Sequence, residues 1–353
     1  MSSAAPPLTV LLPVYNAARW VADAIASLLD QSFGDFELLA IDDGSTDRSL
    51  DVVRTFSDSR IRIVRNDRNR GLIETLNAGI AIARGNLLAR MDADDLSHPD
   101  RFAVQVEYLD AHPDVAGVSC AYDLIDERGA PIPSDWGLYR PTEPIALRWA
   151  LNFGCFFTHS GAVLRTPVLR ECKGFDARYL HAEDYELWLR LAHEHPLANV
   201  PQVLLTRREH GGNVSTRYRD LQWHNAYRAL QASLRRVLGR EIPLDLVSHL
   251  LVTTPPAKAS ATRALAALHR ELFEALARSA PQDLLRAVAD DLAQRLGVIA
   301  ARALRRHPSS ALALALASAR FGFVAFARSA IATRRGDPNV YRRSPVFTRA
   351  LSR

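Results

Sequence analysis

Residues 87–101, LLARMDADDLSHPDR, run an apolar stretch straight into three carboxylates, Asp92, Asp94 and Asp95. Like charges this close repel, and burying one without a partner is costly, so the loop calls for something positive. A Mg²⁺ or Mn²⁺ ion bound through one or two carboxylates, and completed by phosphate oxygens and water, would meet that need. Asp92 and Asp94 stand two apart, so a turn could aim both into one crevice, with Asp95 pointing elsewhere or supporting its neighbours. The plainer alternative is an acidic turn opening a helix. Ser97 would then cap it, Pro99 would sit in its first turn and Asp100 would favour its dipole.

The elements that must place this loop are legible upstream. LTVLLPVY, FELLAID, RIRIVRN and NLLARM read as strands, and the segments from Trp20, RSLDVVRTF and LIETLNAGIAIA read as the helices between them. Strands alternating with helices of this length predict βαβ units and a mostly parallel sheet. In such sheets ligands bind beyond the carboxyl ends of the strands. PVYN, DDGSTD, NDRNRG and DADD all fall at those ends, so four polar loops should converge on one crevice. In DDGSTD, Gly44 would allow a tight strand-to-helix turn that Ser45 or Asp47 caps.

The totals bound the rest. A chain of 353 residues suggests two domains at roughly 100–200 residues each. Its 48% hydrophobic and 24% charged composition belongs to a soluble globular protein. MSSAAPPLTV lacks the basic and apolar regions of a signal peptide. Cys120, Cys155 and Cys172 lack metal-ligand spacing, so a reduced, cytoplasmic setting is expected. The net charge of +5 divides unevenly: residues 1–220 carry 23 Lys+Arg against 31 Asp+Glu, and residues 221–353 carry 21 against 8. The second part reads as helical, with stripes at Trp223–Tyr227–Leu230–Leu234–Val237, Leu265–Leu268–Leu272–Leu276 and Leu284–Val288–Leu292–Leu296. ALALALASARFGFVAFARSAIA, 311–332, is interrupted by Arg320 and Arg328. It is a poor spanning helix and a better candidate for lying in a membrane interface. After residue 300 there are 11 Arg and one acid, Asp337. That balance suits anionic lipid heads; a solvated basic tail on an ordinary helical core is the alternative.

LLPVYN, IDDGSTD, NRGL, MDADD, HSGAVLR, HAEDYELWLR and HGGNVS occur in order with spacing that resembles the family 2 glycosyltransferases, inverting enzymes of GT-A fold. The resemblance covers about residues 7–217. It implies an α/β fold, a GT-A-type nucleotide-sugar-binding domain over 7–217, and leaves 218–353 as a C-terminal α-helical region. It also implies roles. Pro13, Tyr15 and Asn16 would flank the donor's base, Asp43 would accept from the ring N–H of uracil, and Arg70 would lie near the diphosphate. Asp92 would touch the ribose or the metal's water shell, and Asp94 would be the main ligand of a divalent metal, Mn²⁺ or Mg²⁺. Asp184 of the ED pair would be the catalytic base, with Glu183 orienting the site or capping the helix. His159 and Ser160 would open a strand on the acceptor side, and His210 of the closing loop would reach the metal or diphosphate. The implied partners are a nucleotide-sugar donor, UDP-sugar being the commonest, and a saccharide or lipid-linked acceptor at the inner membrane face. No nucleic acid is expected. A processive synthase would carry Q-x-x-R-W and spanning helices, whereas the nearest stretch here is LQWHN. A sugar nucleotidyltransferase would need a Gly- and Lys-rich N-terminal signature that is absent, and an idle scaffold would not need Asp43, Asp94 and Asp184 together.

Overall fold

The structure, a computed structural model, describes residues 5–135, 137–252 and 256–304 and scattered positions between 308 and 349. The chain divides into two compact units, the first mainly residues 1–140 and 157–223, the second residues 141–156 and 224–348. The division differs from a cut near 217 because residues 141–156 belong with the helical unit.

In the first unit β1 (Leu8–Val14), α1 (Val21–Leu29), β2 (Phe36–Asp42), α2 (Ser49–Arg54), β3 (Ile61–Arg65), α3 (Leu72–Ile82) and β4 (Leu87–Arg90) follow the expected alternation. Next come β5 (Leu96–Ser97), α4 (Arg101–Ala111), β6 (Gly117–Asp126) and β7 (Tyr139–Arg140). The unit is completed by β8 (Val163–Arg165), α6 (Thr166–Glu171), α7 (Glu183–Glu194), β9 (Leu197–Glu209) and α8 (Val214–Arg217). Eight strands form one sheet in the order β3-β2-β1-β4-β8-β6-β9-β5. β1 runs parallel to β2 and β4, β2 to β3, and β6 to β9; β8 is antiparallel to β4 and β6, and β5 to β9. All residues of β1, β2 and β4 are buried, which is why they read as unbroken apolar runs.

Alternate residues serve the two faces. Leu8, Val10, Leu12, Leu38 and Ala40 join Val21, Ile25 and Leu28 of α1 and Phe102, Val106 and Leu109 of α4 in one core. On the other face α3 lies close to β1, because a Cβ on Gly79 would fall 2.4 Å from a Leu11 methyl. Burying each such Leu, Ile or Phe contributes roughly 1.5–3 kcal/mol. One expectation is corrected here: Ser97 does not cap α4, because it is drawn into β5, pairs with Leu205 and accepts from Gln31 Nε2 at 3.1 Å. The helix starts four residues on, with Asp100 at its N-cap making no side-chain capping bond.

The second unit is helical. It holds α5 (Pro144–Ala150), most of α9 (Arg219–Leu238), α10 (Leu244–Leu251), α11 (Ala259–Ala277) and α12 (Gln282–Ala303). Leu265, Leu268, Leu272 and Leu276, like Val288, Leu292 and Leu296, are buried as their spacing predicts. In α9 the buried stripe is Ala226–Ala229–Leu230–Ser233–Leu234, and Trp223 is 41% exposed. Trp149 Nε1 and Arg295 Nε both donate to Asp291 Oδ2 at 2.6 Å, which fastens α5 to α12. No helix among the described residues is long and apolar enough to cross a membrane. Most of 311–332 and of the basic tail lies outside the described residues, so the interfacial expectation stays open.

Candidate active site

The loops after β1, β2, β3 and β4 meet at the carboxyl edge of the sheet around a cavity of about 720 Å³. Its walls include Pro13, Tyr15, Asn16, Asp43, Asn69, Asp92 and Asp94. Arg19, Trp20, Glu127, His210 and Tyr218 complete the rim. That volume suits a nucleotide-sized ligand.

The first two loops are stitched together. Asn16 takes a left-handed φ of 49°, which its short polar side chain tolerates, and its Oδ1 accepts from the Thr46 N–H at 2.9 Å. Asp47 Oδ2 accepts from the Ala18 N–H and Oδ1 from the Ser49 N–H, so the cap on α2 comes from Asp47 and not from Ser45. Gly44 sits at φ 68°, and a Cβ there would come within 2.5 Å of the Arg68 carbonyl carbon. Only glycine fits.

Asp43 organises the third loop. Its Oδ1 accepts from Asn66 Nδ2 at 2.7 Å and the Arg70 N–H at 2.9 Å, and its Oδ2 from the Gly71 N–H at 2.9 Å. A carboxylate offers about four acceptor sites. Three are used, and one on Oδ2 remains for a ligand N–H. The side chain of Arg70 turns elsewhere, to Asp67 at 3.0 Å and Glu74 at 3.3 Å, and is not among the cavity's lining groups. Its backbone N–H reaches the site through Asp43.

In the fourth loop Asp92, Asp94 and Asp95 each offer an oxygen within 4.8 Å of the others. Much of the positive charge the cluster requires comes from arginines. Arg90, almost fully buried at the end of β4, forms an ion pair with Asp92. Beneath the loop the buried Arg101 donates to the Arg90 carbonyl at 2.8 Å. Arg208 donates its backbone N–H to Asp95 at 3.0 Å and its Nε to the Asp94 carbonyl at 3.0 Å. Even so, burial and the charges of Asp92 and Asp94 push the Asp95 carboxyl up to about 7. The loop keeps an excess of negative charge. Asp94 Oδ2 lies 2.9 Å from His210 Nε2. Asp94 and His210 would be the residues to hold a divalent cation here, in place of the hydrogen bond they share. As drawn, the Gly212 N–H donates to His210 Nδ1, which leaves the proton on Nε2 and directed at Asp94.

Glu183 and Asp184 open α7. Asp184 Oδ1 accepts from the Tyr185 N–H at 2.7 Å, and the Glu183 carboxyl is held by backbone N–H groups of Glu183 and His181 at the helix start. Burial, and then the charge of Asp184, push Glu183 up to about 7. Burial also raises Asp184, against the pull of Arg90 and Arg207. The same two guanidinium groups act on the acidic loop, Arg90 through Asp92 and Arg207 through Asp95 and Asp92. Asp184 is therefore gathered with the metal-type cluster around shared cations, although it does not itself line the cavity. His159 stands nearby, tilted against Phe175 at 5.2 Å, with Nε2 buried and unpartnered. Burial and the charge of Arg90 hold it well below the usual histidine range, so it is neutral. It lies four residues ahead of β8 instead of opening it.

Arg90, Arg207 and Trp20 were not singled out from sequence. Arg90 is a strand-end arginine and Trp20 one apolar position of a helix, and nothing local marks either as part of a site.

The chain matches the family model "Glycosyl transferase family 2" over residues 9–172. The putative glycosyltransferase EpsE of Bacillus subtilis (strain 168) is 30% identical over 259 residues, 71% of this chain and 88% of that protein. The amylovoran biosynthesis glycosyltransferase AmsE of Erwinia amylovora is 31% identical over 215 residues, 59% and 79% of the two chains. Among solved structures, S. aureus TarS 1–349 in complex with UDP-GlcNAc is similar with a TM-score of 0.55 at 14% identity, over 93% of this chain and 92% of that one. Mannosyltransferase PcManGT from Pyrobaculum calidifontis, in complex with GDP-Man and Mn²⁺, has a TM-score of 0.52 at 20% identity, over 94% and 88%. These likenesses carry the GT-A-type fold.

Proposed function

The chain belongs to glycosyl transferase family 2 and is a glycosyltransferase; from that premise we propose that it moves one sugar, with inversion, from a nucleoside diphosphate-sugar to a saccharide or lipid-linked acceptor. UDP is the nucleotide this reading favours, since the free acceptor site on Asp43 Oδ2 suits a ring N–H. Similarity to proteins solved with UDP-GlcNAc and with GDP-Man and Mn²⁺ supports a nucleotide-sugar donor. AmsE, named for amylovoran biosynthesis, supports a place in polysaccharide or glycolipid synthesis. A cytoplasmic setting, peripheral to the inner membrane face, belongs to the same reading.

The observation that carries it is the gathering of two carboxylate groups around Arg90 and Arg207: Asp92–Asp94–Asp95 at the donor cavity and Glu183–Asp184 beside it. Pro13, Tyr15, Asn16 and Asp43 would hold the base, and Asp92 the ribose side. Asp94 and His210 would hold a divalent cation, which when bound stabilises the charge developing on the diphosphate. Asp184 takes the proton of the acceptor hydroxyl as that oxygen bonds to the anomeric carbon. The bond from that carbon to the diphosphate oxygen breaks, and the nucleoside diphosphate leaves with the electron pair. Burial raises both acids of the Glu183–Asp184 pair, while Arg90 and Arg207 favour the ionised form of Asp184, the form a base needs. Neutral His159 faces the acceptor side without adding charge.

A thermal-shift panel of nucleotides with and without Mn²⁺ tests this. A ligand at a hundredfold excess over its Kd stabilises by about 2.7 kcal/mol. UDP with Mn²⁺ should raise Tm in the wild type and not in Asp94→Ala. A UDP response indifferent to Mn²⁺ and to Asp94→Ala would contradict it.

A further inference from the structure

At the cavity rim one side chain joins pieces from four places in the chain. The Trp20 ring, at the N-cap position of α1, stacks on His210 with centroids 4.2 Å apart and an interplanar angle of 27°. The far edge of that imidazole reaches Asp94 at 2.9 Å. Arg19 lies over the same indole at 4.9 Å and forms an ion pair with Glu127, beyond β6, at 3.1 Å. Glu127, Arg19, Trp20, His210 and Asp94 all line the one cavity. They form a continuous strap across its mouth. Farther along, Asn213 Nδ2 donates to the Arg208 carbonyl at 3.0 Å and Tyr218 stacks on His181 at 4.3 Å, so the segment is tied at both ends and His210 is its link to the cavity mouth. A Cβ on Gly211 would meet nothing within 4 Å, and Arg217 and Arg219 are exposed. The stack leaves only 9% of the His210 side chain exposed, so the ring is fixed by Trp20 on its face and by Asp94 and the Gly212 N–H on its nitrogens.

We propose that Trp20 is a positioning residue: its indole holds His210 against Asp94 and thereby keeps residues 210–218 closed over the donor cavity. The inference rests on the donor-site reading above for its consequence and on the strap alone for its mechanics. Aromatic pairing of this kind is worth a factor of roughly two to ten in the closed population.

Two measurements on full-length protein test it. Trypsin cleavage at Arg217 and Arg219 follows the fraction of time the segment is open. Trp20→Ala should speed it two- to tenfold, His210→Ala at least as much because it also loses the Asp94 and Gly212 contacts, and the double variant should be no faster than His210→Ala alone, in which the stack is already gone. Trp20→Phe should restore the wild-type rate, which a loss of general packing on α1 would not allow. UDP·Mn²⁺ binding by titration calorimetry should weaken by a similar factor in Trp20→Ala and recover in Trp20→Phe. If Trp20→Ala does not fold, His210→Ala against Trp20→Phe asks the same question. Wild-type cleavage in either alanine variant, a double variant faster than His210→Ala, or failure of Trp20→Phe to restore closure would overturn the proposal. Absence of UDP·Mn²⁺ binding in the wild type would instead refute the donor reading, and the cleavage comparison would still decide the strap.

Discussion

Glu183→Gln should remove a slope from the pH dependence of stability. Glu183 is 5% exposed, and burial beside Asp184 moves its carboxyl from the ordinary 4.5 to about 7. The folded chain thus binds this proton more tightly than the unfolded chain does. Below pH 4.5 both states hold it and its contribution to stability is complete. As pH rises towards 7 the unfolded chain releases the proton and the folded chain does not, so stability is progressively lost. At 1.36 kcal/mol for each pH unit between the two values, the loss by pH 8 is roughly 3 kcal/mol. Gln fills the same space and cannot ionise. Melting curves by circular dichroism at steps from pH 4.5 to 8 should show the wild type losing ground to Glu183→Gln with rising pH. The gap should reach roughly 6–12 °C, at about 2–4 °C per kcal/mol for a unit of this size. Asp95 and Asp184 titrate in both proteins, so the comparison isolates Glu183 and its effect on its neighbour. Parallel Tm curves would refute the claim that burial raises the Glu183 carboxyl well above the ordinary carboxylate range.

Other outcomes follow from the same contacts. Arg90→Gln takes away a cation that lowers Asp184, so the acid limb of the kcat profile should move to higher pH, while Arg90→Lys should leave it nearer the wild type. An unmoved limb in Arg90→Gln would dissociate Arg90 from the base. Asp43→Asn keeps one acceptor oxygen but turns an N–H₂ towards the Arg70 or Gly71 N–H. Losing one charge-assisted bond of about 1.5–3 kcal/mol should weaken UDP binding tenfold or more in calorimetry. Unchanged affinity would mean that Asp43 shapes the loop without touching the nucleotide.

Much of the first unit was legible because its strands are buried on both faces and so read as apolar runs that stop at polar loops. The four strand ends gave the cavity walls, and Asp43, Asp92 and Asp94 lie on them. What escaped the sequence depends on contacts between distant positions. Trp20 gains its meaning from His210, and Arg90 from Asp92 and Asp184, and neither partner announces itself in a local window. Ser97 looked like a cap because its neighbours fit a helix start, yet the edge of β9 captured it as β5. Trp223 and Tyr227 suggested a core stripe on α9, but small residues, Ala226 and Ala229, face inward, because close helix packing is made by what fits as well as by what is apolar. Residues 141–156 sit with the second unit through Trp149 and Asp291, a bond across 142 positions that composition does not reveal.

The claim at the centre, that Asp184 takes the acceptor's proton while the acidic loop holds the donor, is tested most directly by Asp184→Asn. UDP-sugar turnover with water as the acceptor is measured alongside UDP·Mn²⁺ affinity. The affinity should stay at the wild-type value, and turnover should fall by roughly 10²–10⁴, the contribution of a positioned general base. Turnover at the wild-type rate with donor binding intact would contradict the assignment.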